Sequence, residues 1–242
     1  MIAAGIMATA QPAAADQRYM VWGNDLYLVG ASAPSTRIAY SGTERLTRIR
    51  DGRVTEYRAE VRYMKSEGTG RTSLHASFVQ KLLPDGSFSD SSDRDPDFLT
   101  ILNQPFAVTL DPVTLHAIER LRGQVPFQAQ SPLGHSTLVG DLRPGTSGLI
   151  DGRRVVGVAF EAEGPMAGGL PDRAADAITG TIRMEGTAYY ATRDALLLAL
   201  DARLTITGTL RSGSHALPVR IVYRRAIRAS GPHNASKGRD QR

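Results

Sequence analysis

Five histidines carry most of the chemistry this chain could do: His75, His116, His135, His215 and His233. There is no cysteine, which excludes a thiolate nucleophile, a thiolate metal site and a disulfide. His116 and Glu119 stand three residues apart, a spacing that places both on one helix face as two metal ligands. Two ligands do not make a site, and an exposed helix surface explains the pair better. His135 lies in Pro132-Leu133-Gly134-His135-Ser136 with Asp141 nearby, the residue types of a Ser/His/Asp triad. A Gly- and Pro-rich stretch supplies such residues by chance. The nucleophile elbow G-x-S-x-G is missing, since Gly145-Thr146-Ser147-Gly148 has the wrong spacing, and so are the phosphate loop, G-x-G-x-x-G and H-E-x-x-H. The sequence nominates no catalytic residue, no metal site and no cofactor.

Charge points to a second kind of chemistry. The net charge of +5 is not spread along the 242 residues. Eight basic residues and one acidic residue lie from Arg211 onward, so the rest of the chain is slightly acidic. Arg220, Arg224, Arg225 and Arg228 cluster in one alternating segment, with Arg220 and Arg224 on its polar face. Arg220, Arg224 and Arg228 form an expected stripe for an anionic partner such as a phospholipid headgroup. The plainer reading is an edge strand that uses charge to avoid pairing with other chains. Nucleic acid is disfavoured, because bases need aromatic platforms on the same face and Tyr223 lies on the other. Arginine far outnumbers lysine, a bias that a GC-rich coding sequence produces with no functional meaning.

The elements that would position these groups read as strands. Over 195–211, ALLLALDARLTITGTLR, every second residue from Leu196 is apolar or small, and after Ala199 the intervening residues are polar. The same period of two recurs over 53–65, 72–83, 156–162, 178–190 and 217–223. Asp51-Gly52 and Asp151-Gly152 are hairpin signals, and further turns fall at Glu67–Gly70, Thr192–Asp194 and around Gly213. Two segments 28 residues apart, AITGTIR and TITGTLR, echo each other as neighbouring strands of a meander would. The middle differs: a helical turn at 96–103, a short strand at 106–110, a helix at 112–122 whose residues can also be read as a strand, and a Gly/Pro/Ser-rich excursion over 123–152. A further loop is expected over 164–177.

The expected fold is all-β and mainly antiparallel, a strongly curved long-stranded sheet forming a half-barrel or barrel, with a short helix/loop excursion in its middle. Architecturally this resembles the periplasmic half-barrels that move lipoproteins or lipids between bacterial membranes, although no motif of theirs matches residue by residue. Its apolar face would be lined by Tyr57, Phe78, Phe160, Tyr190, Leu196, Leu198, Leu200, Leu204, Ile206, Leu210 and Tyr223. These residues make either a filled core or a site for a hydrophobic, lipid-like ligand.

The segment IAAGIMATA followed by Ala13-Ala14-Ala15 reads as a signal-peptide remnant over 1–15, though its positively charged start is missing. Residues 16–229 then form a single β domain, and 230–242 a disordered tail. No stretch is apolar and long enough for a transmembrane helix. The functional expectation is an exported, non-enzymatic protein, periplasmic or secreted, that carries or senses a hydrophobic ligand. The alternative is an envelope structural or assembly protein acting through a protein partner.

Overall fold

The computed structural model describes residues 17–30, 35–51, 54–82, 112–130, 136–170 and 173–230. Four long strands open the chain: β1 (Gln17–Val29), β2 (Thr36–Asp51), β3 (Val54–Glu67) and β4 (Gly70–Leu82). After helix α1 (Pro112–Glu119) come β5 (Val125–Gln130), β6 (Thr137–Pro144), β7 (Gly148–Ile150), β8 (Arg153–Leu170), β9 (Arg173–Ala191), β10 (Leu197–Ser212) and β11 (His215–Ser230). All belong to one antiparallel sheet in the order β4-β3-β2-β1-β11-β10-β9-β8-β6-β5, with β7 paired to β8.

The turns form where their chemistry is written. Asp151 and Gly152 both take positive φ, 49° and 75°, between the paired Ile150 and Arg153. That is a type I′ turn, which matches the twist of the strands it joins. Asp51 pairs with Val54 at the first hairpin, and Glu67 with Gly70 at the second. The echoed segments lie opposite each other, Gly180 against Gly208 and Thr181 against Thr207.

The expected barrel or half-barrel is not formed. The ladder is one open path, and β4 and β5, the strands that closure would have to pair, are its two edges. A period of two dictates which face is buried but says nothing of whether strand tilt and stagger accumulate into closure. The resemblance to half-barrel carriers goes with it. Three local readings are corrected too. The stretch 123–152 is not a surface excursion but holds β5, β6 and β7, and within the expected loop 164–177 the described residues 164–170 and 173–177 are the paired ends of β8 and β9. The proline in each long strand stands just past the end of a neighbouring ladder. Pro165 follows the last β6–β8 pair, Val139 with Glu163, and Pro218 adjoins the last β1–β11 pair, Val29 with Val219.

In β10, finally, the register shifts between Leu197 and Ala199. Leu197 faces Tyr190, and the even-numbered alternation starts only at Leu200. The expected signal segment, the helical turn at 96–103, the strand at 106–110, His135 and the tail beyond Ser230 lie outside the described residues.

One face of the sheet is buried and the other faces solvent. The buried face forms a single apolar cluster that includes Ile178, Ile182, Met184, Leu200, Ile206 and Ile221, to which α1 adds Leu115. No helix among the described residues is long and apolar enough to cross a membrane.

Candidate functional site

A polar island interrupts the apolar face where the first and last strands meet. Alternation along β1 sends Tyr19, Val21, Gly23, Asp25 and Tyr27 to the buried side, and along β11 it sends Val219, Ile221, Tyr223, Arg225 and Ile227 there. Asp25 and Arg225 are therefore charged residues in phase with the core. Asp25 is 1% exposed and Arg225 5%. The Arg225 Nη1 donates to Asp25 Oδ1 at 2.5 Å and to the Arg224 carbonyl at 2.9 Å. Glu44 of β2, 1% exposed, faces the same side opposite Tyr19.

Tyrosine rings surround the pair. The Arg225 guanidinium carbon lies 5.1 Å from the Tyr40 ring centroid and 5.6 Å from that of Tyr223, so the cation is held between two aromatic faces. Tyr27 meets Tyr223 edge-on with centroids 6.0 Å apart, and Tyr40 meets Tyr63 in the same manner at 6.3 Å. Lys65 Nζ lies 5.8 Å from the Tyr40 centroid. Arg225 reaches Tyr40, two strands away, because Gly23 lies between them. A Cβ at Gly23 would meet the Arg224 carbonyl oxygen and sit 3.1 Å from both Arg225 Cδ and Nη1. The glycine is the gap through which the guanidinium passes.

Burial sets the protonation of the phenols. It pushes Tyr223 well above its usual 10.0, and the neighbouring Tyr27, its hydrogen bond and Asp25 push the same way, against Arg225. Burial likewise raises Tyr19, with Glu44 adding to the effect, and it raises Tyr57 and Tyr190. These phenols stay neutral. The Tyr19 hydroxyl is buried with no hydrogen-bond partner among the described residues.

The eleven residues expected to line the apolar face are all buried in the one cluster: Tyr57, Phe78, Phe160, Tyr190, Leu196, Leu198, Leu200, Leu204, Ile206, Leu210 and Tyr223. The expected arginine stripe is split. Arg220 and Arg224 are exposed on the solvent face, whereas Arg228, on that same face, is engaged. Its Nη2 bonds Asp201 Oδ2 at 2.6 Å and its guanidinium lies 5.6 Å from the Trp22 ring centroid. Arg225, grouped with them by sequence proximity, belongs to the opposite face. His116 and Glu119 do meet, at 3.2 Å on exposed α1. No cluster of three or more metal-binding side chains occurs among the described residues.

Asp25 and Glu44 were not singled out from the sequence, and Arg225 only as one of a cluster of arginines. Their signal was available, because each is a charged residue at an apolar phase of its strand. No protein-family model matches this chain, and no curated protein is significantly similar to it.

Proposed function

We propose that this is an exported, non-enzymatic binding protein whose apolar sheet face takes a hydrophobic ligand, with a polar end of that ligand held at the Asp25–Arg225 island. The observation that carries this reading is the buried ion pair itself. Removing two charges from water costs several kcal/mol per ion, on the order of what their attraction returns, so such a pair is a poor device for stability alone. Set among tyrosines on an otherwise apolar face, it offers donors and acceptors where an amphipathic molecule would place its head. The segment before Asp16 is the support for export.

Native mass spectrometry of detergent-free protein, with an organic extract run alongside, tests the reading. A co-purifying lipid-sized mass is expected. A clean apo mass that also ignores added long-chain lipid would sink it.

A second reading has its own observation. The sheet is open, and β4 and β5 are edges, so a partner strand can be added there as in other strand-addition complexes. An assembly protein would then show a stable protein partner and no ligand.

A further inference from the structure

The solvent face of the sheet is divided by charge. Across β6, β8, β9 and β10 its charges interleave and pair: Arg143 with Glu161 at 3.6 Å, Arg183 with Glu161 at 2.6 Å and Glu185 at 3.5 Å, Arg203 with Glu185 at 3.4 Å. Across β11, β1, β2 and β3 the same face is basic. Arg18, Arg37, Arg62, Arg220 and Arg224 are exposed there and make no ion pair among the described residues. Glu56 and Glu60 on this half are already engaged, by Arg58 and Arg45.

Val139 and Leu149 are exposed at the other end of the sheet, but three large apolar side chains stand in water together on the basic half. Met20 is 53% exposed, Trp22 40% and Met64 39%. They are neighbours, since Trp22 and Met64 both flank Ser41 and Met20 lies across Thr43 from Arg62. Two hollows open beside them, each holding carboxylates as well as arginines. One, of about 360 Å³, is lined by Trp22, Arg203, Arg224, Glu185 and Asp201. The other, of about 490 Å³, is lined by Met20, Arg18, Arg45, Arg62, Glu44 and Glu60.

We propose that this half of the solvent face docks on an anionic lipid bilayer. Trp22, Met20 and Met64 enter the headgroup layer, and lipid phosphates meet the exposed guanidinium groups of Arg18, Arg62, Arg220 and Arg224. Arginines supply attraction to a negative surface, while an indole and two thioethers in water are unexplained unless something apolar receives them. Single-stranded nucleic acid fits less well. It needs successive aromatic platforms, and of Met20, Trp22 and Met64 only Trp22 is aromatic.

Trp22 is the one tryptophan of the chain, so its own emission reports the contact. The full chain is mixed with vesicles of phosphatidylcholine alone, or of phosphatidylcholine and phosphatidylglycerol in equal parts, and followed by co-sedimentation and fluorescence. Binding to the anionic vesicles alone is expected, with emission shifted to shorter wavelength, and reversal by salt. Arg18→Glu with Arg224→Glu should weaken binding at least tenfold, while Arg211→Glu on the other half should not. Circular dichroism checks that each variant is folded. Should the double variant fold poorly, Met64→Ser takes its place and must also weaken sedimentation.

Equal binding to both vesicles, no binding by the folded chain, or sedimentation without a Trp22 shift would overturn the proposal. So would tighter binding of a single-stranded RNA oligonucleotide at the same salt. A ligand that co-purifies while vesicles are ignored would sink docking and leave the buried-face reading standing.

Discussion

Tyrosine is the residue in which burial and chemistry meet in this protein. Tyr19, Tyr57, Tyr190 and Tyr223 all have pKa values raised above 10.0, chiefly by burial. In the unfolded chain each phenol ionises near pH 10, while in the fold it keeps its proton. Above that pH the unfolded state therefore binds fewer protons than the native state, and stability falls as pH rises. Each such tyrosine contributes a loss of about 1.4 kcal/mol per pH unit, until its folded value is reached. Urea unfolding between neutral and strongly alkaline pH should be flat up to about pH 10 and then decline steeply, with phenolate absorbance from these four rings appearing only on unfolding. Phenolate absorbance from all eight tyrosines in the folded protein near the usual value would show that these rings are wet.

Among elements, the seam between β1 and β11 joins the first described strand to the last through twelve paired positions from Arg18–Ser230 to Val29–Val219. Asp25 and Arg225 cross that seam inside the core. Replacing Arg225 by Met alone leaves a buried carboxylate and should cost about 3–5 kcal/mol. Adding Asp25→Leu removes the orphan charge and should recover most of that loss. Equal destabilisation by the single and double variants in urea titrations would mean that the pair is a structural necessity rather than a polar anchor.

The strands themselves were legible because alternation and turn residues agree. Asp151-Gly152 and the segments around Gly180 and Gly208 are found where the sequence places them. The errors have physical causes. Gly- and Pro-rich 123–152 and 164–177 have poor strand propensity, but pairing with β8 and β9 overrides it. The extra residue at Leu198 shifts the phase of β10, a change that a run of three leucines conceals. Arg225 stands close in sequence to Arg220, Arg224 and Arg228 but is left out of their expected stripe, and strand phase puts it on the buried face, where its pairing with Asp25 was not foreseen.

At the scale of the whole molecule the sheet has two faces with different tasks. The buried face is apolar with one charged island, and the solvent face is half paired and half basic. Closure, which an alternating sequence cannot specify, is absent, so access to the buried face does not follow a barrel axis. In the proposed binding mode a ligand's polar end meets Asp25 and Arg225, so the island is separable from the fold that holds it. The most direct measurement is titration of a fluorescent apolar amphiphile bearing a polar head into the natural protein and into the folded Asp25→Leu/Arg225→Met double variant. Saturable binding to the first, weakened at least tenfold (about 1.4 kcal/mol) in the second, is the predicted result. Equal affinity for the two, or no saturable binding to either, would contradict it.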